Sequence, residues 1–327
     1  MSADAPSVSV VTPFYNTAPY LDACIASVVA QTRTDFEYLL VNNRSTDGSA
    51  EIARGWAARD PRIRVVDQPS FLGQVENYNA ALRHVGPAAR WVKIVQADDW
   101  LYPECLERMV AAGERDPGVV LVGSFYRFGD LVLFQGLPAD RGVHEGRDVC
   151  RWQLLARHFF MGNPTTLLYR ADAVRARTPF FEPGRFHEDG EVCFELLERA
   201  RFGFVPQVLS FVRTDNAEAS ITMARQDDDL LAALRYTMVR RYGRTYLSVP
   251  EYTAADAAVT REYWWRLLRG AATLRGPDYF SFHARRLAEV GEHLGPLTFL
   301  AWPLRFGAGY LRRLARGGAR RLREALR

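Results

Sequence analysis

Cysteine is scarce in this 327-residue chain and never clustered. Cys24, Cys105, Cys150 and Cys193 stand far apart, so the close pairs that zinc and redox sites require are missing, and so is a disulfide framework. The four are expected to be buried thiols in a reducing compartment. The N-terminus, MSADAPSVSVVTPFY, lacks a basic stretch followed by an apolar core and a small-residue cleavage site, which argues for the cytoplasm and against secretion. Internal repeats are absent, and the arginine-rich end is the one biased tract. Lysine is almost missing: Lys93 is the single example, inside an apolar stretch. No glycine-rich, Arg/Lys-bearing triphosphate loop follows the first apolar run, which disfavours a sugar nucleotidyltransferase.

What is present is an ordinary globular composition, 48% hydrophobic and 24% charged. The net charge of +4 is unevenly placed. Residues 305–327 hold eight arginines against one glutamate, so everything before them is net negative by three. Basicity therefore belongs to the tail, and a nucleic-acid surface is excluded as the reading. Within 294–327 Pro296 and Pro303 break the apolar stretch, which falls short of the ~20 residues of a spanning helix. Arginines then alternate with leucines at helical spacing, as in an interfacial helix drawn to anionic lipid. The tail is thus expected to touch the inner face of a membrane peripherally; the alternative is a solvated basic helix.

Short apolar runs at 7–12, 38–42, 63–67 and 91–96 alternate with helical spacing at 19–30, 49–58 and 74–84. This alternation predicts an α/β fold with a mostly parallel, Rossmann-like sheet and helices on both faces, because parallel neighbours need crossover connections. Further helices are expected at 103–114, 147–160 and 188–200, and strands at 119–125, 131–135, 165–169 and 204–212. Beyond residue 226 the pattern is helical, at 227–242, 253–274 and 279–294, with Thr253 and Asp256 spaced like a capping box. Two domains are expected, 1–226 and a helical region 227–327. Tyr263-Trp-Trp265 resembles a helix–helix interface.

Sites in parallel sheets gather beyond the carboxyl ends of the strands. Three polar clusters fall there: Pro13-Phe-Tyr-Asn16, Asn42-Asn-Arg-Ser-Thr-Asp47 and Gln96-Ala-Asp-Asp99. Two adjacent carboxylates, Asp98 and Asp99, at a rigid strand end suit Mg2+ or Mn2+. Such a pair also serves as a turn or helix cap. Glu188-Asp189 likewise reads either as a cap at a helix start or as a functional carboxylate.

Taken in order, Val8-Ser-Val-Val-Thr-Pro-Phe-Tyr-Asn16, Leu40-Val-Asn-Asn-Arg-Ser-Thr-Asp-Gly-Ser49, the segment from Gly73 to Asn79, Gln96-Ala-Asp-Asp-Trp100 and His187-Glu-Asp-Gly190 resemble the family 2 glycosyltransferases of the A-type nucleotide-diphospho-sugar fold, over about residues 7–215. The resemblance implies an inverting glycosyltransferase using a divalent cation, Mn2+ or Mg2+. The donor would be a nucleoside-diphosphate-sugar (UDP, dTDP or GDP) and the acceptor a glycan or lipid-linked group. It places Thr12, Pro13, Phe14 and Tyr15 beside the nucleobase and Asn43 where an Asp usually contacts it. Ser45, Asn79, Gln96, Ala97 and Asp98 complete the donor contacts. Asp98 and Asp99 become the metal ligands, Asp189 the general base and Glu188 its catalytic neighbour.

Several positions depart from the family pattern. Asn42-Asn43 replaces an Asp pair, and Gln96 replaces the first Asp of Asp-x-Asp, removing negative charge near the diphosphate. Tyr78 stands where an Arg commonly precedes Asn79, and Arg213 is followed by Thr-Asp-Asn216 where a His often follows. A catalytically weak nucleotide-sugar-binding or scaffold protein is the rival these departures suggest. Lys93, on the strand face opposite Gln96, is expected to pair with a buried carboxylate, the alternative being charge neutralisation in the cleft. Asn163-Pro-Thr-Thr166 is either a cleft contact or loop structure. The six histidines, His187 among them, show no metal-ligand spacing.

Overall fold

The computed structural model describes residues 6–134, 137–156, 161, 163–215 and 228–295. The basic tail beyond Gly295, the 157–160 end of one expected helix, Gln135 and Asn216 lie outside them. Two compact units divide the chain at Gln226 and Asp227.

In the first unit, strands β1 (Val8–Phe14), β2 (Phe36–Asn42), β3 (Ile63–Asp67) and β4 (Trp91–Ile94) pair in parallel in the order β3-β2-β1-β4. Helices α1 (Ala18–Val29), α2 (Ser49–Ala57) and α3 (Gln74–Leu82) make the crossovers. Every residue of β1 and β4 is buried, the continuous apolar pattern of central parallel strands. All four carboxyl ends consequently open on one edge.

The second half is mixed. β5 (Trp100–Leu101), α4 (Cys105–Gly113), β6 (Val119–Phe128), β7 (Leu131–Leu133), β8 (Val143–Glu145), α5 (Gly146–Leu155) and a 3-10 turn (Pro164–Thr166) precede β9 (Leu167–Arg170). After α6 (Ala171–Arg175) and α7 (Glu188–Leu197), β10 (Arg201–Val212) closes a ten-stranded sheet, the order running on through β9, β6, β10 and β5. β9 is antiparallel to both β4 and β6, which joins the parallel half to the rest. The residues at 165–169 expected as one strand are therefore a turn and then a strand. Trp91 anchors the core beside α4, where a Cβ on Gly113 would come within 2.4 Å of its ring. Gly113→Val is expected to destabilise the fold by about 1–3 kcal/mol through overpacking. Denaturant unfolding checks this; an unchanged midpoint would show that the ring yields.

The second unit contains α8 (Asp228–Tyr246), α9 (Val249–Ala272) and α10 (Pro277–Ala288). Tyr263 and Trp264 are buried, Tyr263 stacking on Tyr236 at 4.7 Å and bonding the His283 ring at 2.8 Å. The expected capping box is displaced. Ser248 and Glu251 form it, at the true start of α9, while Thr253 bonds the Val249 carbonyl inside the helix and Asp256 pairs with Arg240. The Ser248 N-cap followed by Val249-Pro lets the helix begin a turn early. Among the described residues no helix is long and apolar enough to cross a membrane.

Candidate active site

The ends of β1 and β2 are laced together. Thr12 turns inward and its hydroxyl meets that of Tyr38 at 3.0 Å, and Pro13 and Phe14 are buried, so this part of the expected base-flanking loop supports the edge from beneath. Tyr15 alone of that group is exposed, packed edge-on against exposed Phe71 with ring centroids 4.8 Å apart. Ser45 accepts from the Asn16 backbone at 3.1 Å, and Asn16 accepts from the Thr46 N–H at 2.8 Å. Asp47 accepts from Ala18 and Ser49 N–H groups at the starts of α1 and α2, which hold its carboxyl below the ordinary range despite some burial.

Two asparagines act as latches. The Asn43 amide donates to the Leu72 carbonyl and accepts from the Leu72 N–H, both at 2.9 Å. Asn79 does the same to Phe181, at 2.7 and 2.9 Å. Only an amide offers a donor and an acceptor side by side; a carboxylate at 43 would repel the Leu72 carbonyl. The departure from Asp is thus matched by a backbone partner 29 residues away.

Beyond β4 the 3-10 turn acts as a buttress. Buried Lys93 donates to the carbonyls of Thr165 at 2.7 Å and Leu167 at 3.1 Å. Among the described residues no carboxylate pairs with it directly, contrary to expectation, since these carbonyls occupy its ammonium. The Thr165 hydroxyl donates to Asp99 at 2.6 Å and accepts from the Gln96 N–H at 3.0 Å. The other Asp99 oxygen accepts from the Arg213 N–H at 2.9 Å. Asp99, expected as a second metal ligand, is 2% exposed with both oxygens engaged, and burial with the nearby Asp98 charge lifts its carboxyl to about 8. Arg213 lies over Tyr20 and Trp100 and donates to the Asp98 carbonyl at 2.9 Å. Ala97 is buried, whereas Asp98 is half-buried, its carboxylate the more accessible of the two.

Across the edge, α7 begins at Glu188. Asp189 sits in its first turn and its Oδ1 pairs with the His187 Nδ1 at 2.8 Å. Glu188 is pushed up to about 7, by burial first and then by Asp189. Tyr78 draws the two sides together. Its hydroxyl is raised far above the usual phenol range by burial, against a hydrogen bond from Gln96, and Asp98, Asp99 and Asp189 all push it the same way. Tyr126 on β6 is raised likewise, through burial, Asp189 and Asp99. The strand-end carboxylates and Asp189, 90 residues on from Asp99 in the chain, therefore act electrostatically on the same tyrosine. Tyr126 was not identified from sequence, and His187 was quoted there only within its motif, with no role assigned; neither has a spacing signal. Gln96 and Tyr78, two departures from the family pattern, prove to be neighbours.

The family described as Glycosyl transferase family 2 matches residues 9–177, just over half of the chain. The uncharacterized glycosyltransferase YibD of Escherichia coli (strain K12) is 31% identical over 209 residues, 60% of this chain and 58% of that protein. This chain spans 35% to 58% of the length of the first curated relatives it matches. Among solved structures, S. aureus TarS in complex with UDP-GlcNAc superposes with a TM-score of 0.61 at 15% identity, covering 87% of this chain and 80% of that one. The mannosyltransferase PcManGT from Pyrobaculum calidifontis, in complex with GDP-Man and Mn2+, gives 0.52 at 19% identity, covering 88% and 86%. At such identities the superpositions bear on fold alone.

Proposed function

Because the chain belongs to glycosyl transferase family 2, we propose that residues 1–226 bind a nucleoside-diphosphate-sugar carried on UDP, dTDP or GDP and transfer the sugar, with inversion, to a hydroxyl of a glycan or lipid-linked acceptor. What supports this most directly is that Asp98 and Asp189 both act electrostatically on Tyr78, which is also hydrogen-bonded by Gln96. A group at a strand end for the diphosphate and a carboxylate for the acceptor proton then lie on one cleft. Direct displacement needs both.

Asp189 takes the acceptor proton as the new bond forms, a role that calls for no strongly raised basicity because the carbon is oxocarbenium-like. Glu188, lifted to about 7, holds a proton for part of the time at neutral pH. Tyr15, with Phe71, walls the nucleobase side, and the latches of Asn43 and Asn79 fix the loops beneath it.

For a cation the donor set is thin. Among the described residues no group of three or more His, Cys, Asp or Glu side chains is gathered as a metal cage. One carboxylate supplemented by substrate phosphates is nonetheless how Mg2+ and similar ions are commonly held, and Asp98 fits that mode. A divalent cation, Mn2+ or Mg2+, there supplies charge neutralisation for the departing diphosphate. The arginine-rich 294–327 serves contact with an anionic membrane surface.

Donor turnover with UDP-, dTDP- and GDP-sugars, measured beside nucleotide binding and across a Mn2+ titration, tests this reading. Binding without turnover of any donor would leave a nucleotide-sugar-binding protein instead. Gln96→Asp is expected to lower the half-saturating cation concentration about tenfold, since a carboxylate there adds roughly 1.4 kcal/mol of attraction. An unchanged cation requirement would remove Gln96 from the metal's surroundings.

A further inference from the structure

We propose that His187 is the positioning residue for Asp189, holding one carboxylate oxygen so that the other faces the acceptor; this rests on the reading of Asp189 as the base. Among the described residues the side-chain contacts of Asp189 fall on Oδ1: the His187 Nδ1 at 2.8 Å and the Gly190 N–H at 2.7 Å. Oδ2 carries no hydrogen bond among the described residues, and a carboxylate fixed at one oxygen presents the other in a set direction. The ring is seated just as tightly. His187 is the N-cap of α7, with φ −146° and ψ 60°, and folds back over the first turn, where a Cβ on Gly190 would stand 2.3 Å from Cδ2 and 2.4 Å from Nε2. Glycine at 190 is therefore a condition for the ring's position, which accounts for His187, Asp189 and Gly190 of that motif.

The proton on Nδ1 is common to the neutral and charged ring, so the bond persists in both forms while the charge does not. Burial lowers the imidazole's affinity for a second proton, and Asp189, Glu188 and Glu191 more than offset it, holding His187 above its ordinary range. Glu191 is itself paired with Arg185, and the tyrosines facing Asp189 from α3, β6 and β9 are Tyr78, Tyr126 and Tyr169, none of them ionised at neutral pH. An imidazolium beside Asp189 makes it a poorer proton acceptor. Transfer accordingly weakens as pH falls through the His187 titration and recovers above it.

Steady-state transfer by the full chain is compared for wild type, His187→Ala, His187→Asn, Gly190→Ala and the Gly190→Ala/His187→Ala double variant between about pH 5 and 8, with nucleotide affinity and thermal unfolding measured alongside. His187→Ala and Gly190→Ala are each expected to lower kcat by about 10–100-fold at unchanged nucleotide affinity. The double variant is expected to be no worse than either, because both remove the same seated ring. His187→Asn, which keeps a donor for Oδ1 and cannot charge, is expected to recover most of kcat and to lose the inflection that wild type shows above pH ~6.5. A wild-type kcat and pH profile in His187→Ala, multiplying defects in the double variant, or an inflection retained in His187→Asn would overturn the proposal. Should His187→Ala fail to fold, His187→Asn and Gly190→Ala still decide it. An active Asp189→Asn would instead strike at the base assignment, leaving the two failures distinguishable.

Discussion

Asp189→Asn is expected to lower transfer by about 10²–10⁴-fold, the usual contribution of a general base. The substitution is close to isosteric. Its side-chain oxygen still accepts from His187 and from the Gly190 N–H, so the first turn of α7 keeps its shape. What disappears is the capacity to take a proton. The loss should therefore fall on kcat, with nucleotide affinity within about twofold of wild type, as for an interaction made only in the transition state. Glu188→Gln provides the internal comparison, because Glu188 shares the helix start and is already pushed up to about 7. If it costs far more than Asp189→Asn, the two carboxylates exchange roles. Turnover in Asp189→Asn within about tenfold of wild type would end the assignment.

The half of the fold that positions this cleft was legible because it is repetitive: four apolar strands, three crossovers, and polar clusters where three of the strands stop. Its boundaries moved by no more than two residues, as ends decided by local capping do. Short elements were not legible. β5 has two residues and β8 three, too few to show a period, and each exists only by pairing with β10. Asn43 stands at a position marked by resemblance, yet whether an amide there reads a base or holds a loop depends on where Leu72 lies. Asp99 and Lys93 were both read from the chain alone. Adjacency to Asp98 suggested a pair of metal ligands, and a lone lysine suggested an ion pair. The turn at Pro164–Thr166, some 70 residues later, supplies the carbonyls and the hydroxyl that engage both.

That turn makes the strand end carrying Gln96 and Asp98 vulnerable to the loss of a side chain that never reaches the cleft. Lys93→Met is expected to destabilise the first unit by about 3–5 kcal/mol, the range for removing one member of a buried charged network. Methionine fills much of the same volume, so the cost is not a cavity. It arises because the Thr165 and Leu167 carbonyls lose their donor and the buried Asp99 loses a positive charge from its surroundings. Thr165 transmits the effect, its carbonyl bonding Lys93 while its hydroxyl bonds Asp99 and Gln96. Asp99→Asn in the same background should restore part of the loss, since an amide mimics the protonated acid. The pH dependence has a definite sign. With its folded value raised to about 8 against about 3.9 unfolded, Asp99 contributes stability that is full below the lower value and is lost as pH rises through the upper one. Lys93→Met should steepen that loss, and Asp99→Asn should flatten it. Denaturant unfolding at about pH 6 and pH 9 measures both. Equal stability of Lys93→Met and wild type at both would show that the carbonyls find water and that the lysine holds nothing in place.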